Sequence, residues 1–229
     1  MITQLLEAAT TRWSFEPVRT RWLDPTDRLD EALAEHLPVS SPGDTLVISE
    51  KVAVLLTGGA IPVSDYRPGR WARILARCVQ PRQGSRGLSI PEKMEYVIAA
   101  VGLPRVLVAA AAAAITRPLG RHGEFYRIAG PIARDLDGGR PPYEHLLFPP
   151  LDPVTAQQLC DQLEDALDRG VAIIDLNDFG GTIRATSRRA PATQTLHWLL
   201  RANPLGQRST GTPFGLIRQG VRALATDGG

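Results

Sequence analysis

Residues 170–181, GVAIIDLNDFGG, give the strongest indication of the fold. The run VAII is rich in β-branched side chains and turn-forming residues follow it, a pattern that predicts a buried strand. Asp175, Asn177 and Asp178 come next, followed by a pair of glycines. Carboxylate and amide oxygens suit a hard cation, and a Gly-Gly turn lets backbone N–H groups approach an anion. The same residues could equally cap the next turn, so both interpretations stay open.

The composition is that of an ordinary globular protein. The 229 residues are 43% hydrophobic and 22% charged, which suffices for one large domain or two modest lobes. A net charge of +2 gives no argument for nucleic acid or a membrane, and we expect neither as a partner. No signal peptide or membrane-spanning segment is predicted. Cys78 and Cys160 suit a reducing compartment, so we expect a cytoplasmic protein.

Strands and helices alternate irregularly along the chain. Helices are predicted at residues 28–37, 70–79, 91–101, 153–168 and 193–201. Strands are predicted at residues 15–23, 45–49 and 145–148, through the alanine-rich stretch 106–115, from Gly170 onward, and at 212–218. These elements predict an α+β fold, a mixed sheet with flanking helices in one two-lobed domain. The predicted lobes are residues 10–130 and 131–220, with a flexible tail at 222–229. The Gly170 strand is expected to be central, with the loop 175–181 at the mouth of a cleft.

Four stretches carry a resemblance to a known family. In chain order they are GDTLVISEK (43–51), FYRIAG (125–130), LLFPPLDP (146–153) and PLGQRSTGTPFGLIR (204–218). Together they resemble segments of the γ-glutamyl ligases that add glutamate to the deazaflavin coenzyme F420. Each stretch is short, but their shared order over most of the chain makes coincidence an unsatisfactory explanation.

The resemblance implies an F420 ligase-like fold, a homodimer and an enzyme. Such a ligase uses GTP (or ATP) with Mg or Mn to activate a carboxylate as an acyl phosphate, which the amine of an amino acid then attacks. By position in the matching segments, the expected nucleotide-binding residues are Ser49, Glu50, Lys51, Gly206 and Gln207. The expected metal ligands are Asp175, Asp178, Gln207 and Asp137.

Two positions support a second hypothesis, a non-catalytic relative that binds a small anionic ligand or a protein partner. Where the resemblance leads us to expect metal-binding carboxylates, the chain has Ile132 and Asn177. Fewer carboxylates weaken a site for a hard cation in both charge and geometry. Lys51 is one of only two lysines. A phosphate contact and a surface pair with Glu50, worth at most ~1 kcal/mol, both remain open for it. No residue identifies the acid substrate.

Overall fold

The structure is a computed structural model that describes residues 11–39, 41–80, 87–177, 180–206 and 211–221. The chain divides into two compact units. The first unit comprises Met1–Leu56 and Leu151–Gly229, and the second comprises Thr57–Pro150. These boundaries differ from the expected lobes, because strands from both ends of the chain pair in the first unit. The predicted flexible tail at 222–229 lies outside the described residues.

The described elements follow in chain order. They are β1 (Thr11–Val18), α1 (Leu29–His36), β2 (Thr45–Ser49), α2 (Glu50–Leu56), β3 (Ile61–Pro62), α3 (Arg70–Cys78), α4 (Pro91–Val101), α5 (Leu103–Thr116), α6 (Glu124–Ala129), α7 (Pro131–Asp135), β4 (Asp137–Gly138), β5 (Leu146–Phe148), α8 (Pro153–Leu167), β6 (Gly170–Asn177), β7 (Gly180–Thr186), α9 (Thr193–Leu200) and β8 (Phe214–Val221).

A mixed five-stranded sheet forms the centre of the first unit. Its strand order is β1-β8-β2-β6-β7, with β2 and β6 parallel and the other neighbours antiparallel. Four consecutive residues of β6, Val171 to Ile174, are fully buried, so helices and loops cover both faces of this strand. The prediction of a buried β6 inside an α+β fold with a mixed sheet and flanking helices is therefore confirmed. The prediction that β6 is the central strand was wrong, since β2 is central and β6 lies next to the edge strand β7.

Helix α8 of the first unit begins where a local capping signal predicts its start. The Asp152 carboxylate accepts hydrogen bonds from the backbone N–H groups of Val154 and Thr155, both at 3.1 Å, and Pro153 occupies the first helical position of α8. Such a cap satisfies N–H groups that have no partner within the helix. On one face of the sheet, Leu196 and Leu200 of α9 pack with apolar strand residues in a single cluster.

The second unit is mainly helical and carries a small antiparallel sheet of order β3-β5-β4. The alanine-rich stretch, predicted as a strand, is instead the helix α5, so that prediction was wrong. Alanine has the highest helix propensity, and Pro104 stands in the first turn, where its missing N–H costs nothing. No single helix in the described ranges is long and apolar enough to cross a membrane.

The glycine pair after β6 also differs from its prediction. Gly180 and Gly181 were expected to form a turn, but they begin β7, where Gly180 pairs with Asn177 and Gly181 with Leu176. A Cβ atom on Gly181 would lie 2.6 Å from the Asp175 carbonyl oxygen. Glycine is therefore needed there because the backbones of β6 and β7 approach closely, not because a turn requires it.

Candidate functional site

One edge of the five-stranded sheet collects the ends of several strands. Ser49 at the end of β2 lies beside Ile174 of β6, and Ile48 lies beside Phe214, where β8 begins. We call this the ligand edge, defined by Ser49, Glu50, Asp175 and the segment 211–213. In open sheets, ligands bind outside the carboxyl ends of parallel strands. A ligand site of this unit is therefore expected at this edge.

Segments that are distant in sequence meet at this edge. The Ser49 N–H donates to the Pro213 carbonyl at 2.9 Å, and the Thr20 N–H donates to the Gly211 carbonyl at 2.9 Å. The Thr212 hydroxyl donates to the Leu205 carbonyl, next to Gly206. The glycine-rich segment before β8 is therefore joined to the end of β2.

A buried glutamate is the centre of the ionic contacts here. Glu50 is 5% exposed, and its Oε1 accepts a hydrogen bond from the Leu151 N–H at 2.9 Å. Arg184 Nε lies 2.8 Å from the same oxygen, and Arg184 Nη2 lies 3.7 Å from Asp175 Oδ2. One guanidinium thus lies between two carboxylates. The Asp175 side chain is the more exposed of the two, at 31% against 7% for Glu50.

Burial raises the pKa of Glu50 above its ordinary value. Removing a carboxylate from water disfavours its charged form. The Arg184 guanidinium and the Leu151 N–H oppose this rise, and the negative charge of Asp175 adds to it. Glu50 is consequently a carboxylate whose ionisation depends on its cationic neighbour.

A β-bulge accounts for the position of Arg184. In the β6–β7 ladder Ile173 pairs with Ala185 and Ile174 pairs with Ile183, which leaves Arg184 as the extra residue. A bulge reverses the alternation of side chains and re-aims the bulged residue. Sequence reasoning missed Arg184, and its only signal was one arginine among the small and β-branched residues GTIRAT.

The structure brings some of the predicted site residues together and not others. Ser49 is half-buried and Lys51 exposed, both at the ligand edge, while Asp175 lies half-buried beside them. Gly206 is exposed with φ = +71° and adjoins Leu205, the acceptor of the Thr212 hydroxyl. Asp137 lies in β4 of the second unit. Asp178 and Gln207 fall outside the described residues.

The described residues do not by themselves fit a divalent metal at this edge. No group of three or more His, Cys, Asp or Glu side chains in the described ranges could hold a metal ion. Glu50 and Asp175 offer the hard oxygen donors that Mg²⁺ prefers, but Arg184 lies against both. A metal bound between them would have to displace that guanidinium.

Comparisons with known proteins add no assignment. Neither the models of protein families nor the curated protein sequences contain a match to this chain.

Proposed function

We propose that this chain is a divergent γ-glutamyl ligase-like enzyme that joins a carboxylate to the amine of an amino acid with the help of a nucleotide and a divalent metal. The observation that carries the proposal is the convergence at the ligand edge. Three of the four resembling stretches contribute there: Ser49 to Lys51, Leu151 beside Glu50, and the segment 211–213. Chance similarities would have no reason to meet at one edge of a sheet.

The chemistry divides into two balanced steps. The carboxylate oxygen of the acid attacks the terminal phosphoryl group of the nucleotide. The acyl phosphate forms and the nucleoside diphosphate leaves. The amine nitrogen then attacks the acyl carbon, phosphate departs, and the amine releases a proton to a base. Lys51, exposed in the first turn of α2 directly after β2, is a cation of this edge that would contact a phosphate. Two of the expected metal ligands, Asp178 and Gln207, lie outside the described residues.

A second candidate is a non-catalytic relative that binds a small anionic ligand. The arrangement of Arg184 favours it, because a protein cation already compensates the two carboxylates that a metal would need. In this case ligand binding does not depend on a divalent metal. The two candidates therefore differ in a property that is simple to measure.

The test is thermal unfolding with GTP or ATP, each with and without Mg²⁺ or Mn²⁺. A ligand at 100-fold excess over its Kd stabilises the protein by about 2.7 kcal/mol. The enzyme hypothesis predicts metal-dependent stabilisation by nucleotide, together with phosphate release when carboxylic acids and amino acids are added. The binding hypothesis predicts stabilisation by an anion without metal and no phosphate release. Absence of both responses contradicts both candidates.

A matched pair of variants tests whether the nucleotide binds at the ligand edge. Lys51→Met should weaken nucleotide binding about tenfold or more, because a charge-assisted hydrogen bond is lost. Arg28→Met removes an exposed cation paired with Asp30 elsewhere in the first unit and should leave nucleotide binding unchanged. Equal effects of the two variants would argue against Lys51 as a phosphate contact.

A further inference from the structure

We propose that the second unit binds the surface of an anionic phospholipid membrane through the exposed face of α3. The proposal is independent of the function assigned to the first unit. It departs from the expectation drawn from the net charge of the whole chain, because that charge is unevenly divided between the units.

The charge of the second unit is strongly positive. Thirteen of the 26 basic residues but only seven of the 24 acidic residues lie in Thr57–Pro150, so this unit carries +6 and the first unit carries −4. The value of +2 for the chain is the sum of two large and opposite charges. A unit with this excess attracts polyanionic surfaces.

Three arginines form a row along α3. Arg70, Arg73 and Arg77 are spaced by three and four residues, which places them on one side of a helix, and all three are exposed. In the described part of the chain no carboxylate forms an ion pair with any of them. Other arginines of this unit differ, since Arg127 pairs with Glu124 at 2.6 Å and Arg134 with Asp135 at 2.7 Å.

Large apolar side chains stand beside this row. Trp71 is 39% exposed and Ile74 is 43% exposed, while Ala72, Leu75 and Ala76 on the opposite side of α3 are buried in the core of the unit. The Arg70 guanidinium lies over the Trp71 ring, 5.4 Å from its centroid. The face that α3 presents to solvent is therefore both cationic and apolar.

The same unit exposes further large apolar side chains. Val108, Ile115 and Leu119, in and just after α5, are 60%, 69% and 73% exposed. The Arg117 guanidinium donates to the side-chain oxygen of Gln80, two residues past α3, and so joins the ends of the two helical segments.

An anionic membrane surface is the partner that satisfies both features. Lipid phosphates pair with arginine, and the boundary between headgroups and acyl chains accepts Trp and Ile. Nucleic acid would pair with the arginines but gives Ile74 no apolar environment. A second copy of the chain could cover the apolar side chains but would bring two units of charge +6 together.

The experiment is flotation of the full chain with vesicles of phosphatidylcholine, with and without phosphatidylglycerol. The wild type should float with the anionic vesicles and much less with the neutral ones, and rising salt should weaken the binding. The triple variant R70Q/R73Q/R77Q should bind anionic vesicles at least about tenfold more weakly. Ile74→Ser should also weaken binding, because it removes an apolar contact.

Matched controls keep the outcome decisive. R28Q/R188Q/R201Q removes the same charge from exposed positions of the first unit, and Val154→Ser removes an apolar side chain that is 63% exposed there. Both should retain wild-type binding, and unfolding curves should confirm that every variant is folded. The proposal fails if the wild type does not float with anionic vesicles, or if both triple variants lose vesicle binding equally. Two further results, each in the absence of vesicle binding, would also overturn the proposal. One is binding of single-stranded DNA that depends on these arginines, and the other is a dimer that is lost in Ile74→Ser.

Discussion

Glu50 shows how one buried side chain can depend on a single neighbour. Its carboxylate contacts Arg184 and the Leu151 N–H, and burial alone would favour its neutral form. The net stabilisation from such a pair is small, because desolvating both ions offsets their attraction. Removing one partner is a different matter, since the other charge stays buried without compensation.

We expect Arg184→Met to destabilise the first unit by about 3–5 kcal/mol near neutral pH. Without the guanidinium the pKa of Glu50 rises further above the value of the unfolded chain. Between these two pKa values, Glu50 is protonated in the folded variant and ionised in the unfolded chain. Its stability should therefore fall as pH rises from the ordinary carboxyl value through the raised pKa of Glu50. The deficit against wild type should be smaller at mildly acidic pH than above neutrality.

Urea unfolding of both proteins at several pH values measures this difference. Arg189→Met is the control, because Arg189 pairs with Asp168 at the surface, where the two side chains are 44% and 69% exposed. It should cost less than about 1 kcal/mol with little dependence on pH. A deficit for Arg184→Met that does not change with pH would contradict the coupling to Glu50.

At the scale of elements, α8 depends on its cap. Asp152→Ala should cost about 1 kcal/mol, because two backbone N–H groups lose their acceptor, whereas Asp152→Asn should be nearly neutral. Asp161→Ala changes an exposed carboxylate within the same helix, which accepts a hydrogen bond from the Gln157 side chain and caps no backbone N–H in the described part of the chain, so it should cost less. Chemical denaturation measures all three. Equal losses for Asp152→Ala and Asp161→Ala would show that the cap is not responsible.

The β6–β7 pair depends on Gly181. An added methyl group would lie 2.3 Å from Leu176 Cδ2 and 2.6 Å from the Asp175 carbonyl oxygen, so the strands must separate. We expect Gly181→Ala to destabilise by about 1–3 kcal/mol. Gly43→Ala, where a methyl group meets nothing within 4 Å, should be neutral or slightly stabilising. Thermal unfolding of the two variants measures both changes in stability. An unchanged stability of Gly181→Ala would contradict the close approach of the β6 and β7 backbones.

At the scale of the whole molecule, the two thiols report on opening of the fold. Cys78 is exposed, whereas Cys160 is buried in the first unit, and burial raises the pKa of its thiol to about 12. Since only the thiolate reacts, a thiol reagent at mildly alkaline pH should label one cysteine per folded chain, and both after unfolding. Cys78→Ser should abolish the fast reaction. Rapid labelling of Cys160 in the native protein would contradict its burial.

Local signals in the sequence predicted several elements well. The strand at 45–49 was predicted with the bounds of β2, Gly102 ends α4 with φ = +88°, and Asp152 caps α8 as expected. Each of these depends on residues within one turn or one strand. The prediction for the alanine-rich stretch was wrong because an apolar run without periodicity is compatible with a buried strand and with a helix.

The candidate site could be predicted only in part. Ser49, Lys51 and Asp175 could be singled out because they follow predicted strands, a property visible in the sequence. Arg184 could not, because the bulge that aims it depends on the register of two paired strands. The uneven charge was hidden as well, since only the boundaries of the units show which charges belong together.

The sequence by itself determined the bounds of β2, α3, α4, α8 and α9 to within one residue, because caps, prolines and side-chain periodicity act over a few residues. Only the tertiary structure decided that Glu50 meets Leu151, 101 residues further along, and that Arg184 lies between Glu50 and Asp175. The physical reason is range. Packing and strand pairing bring together residues that are distant in sequence. The charge of a site is the sum of the charges of the side chains that meet there.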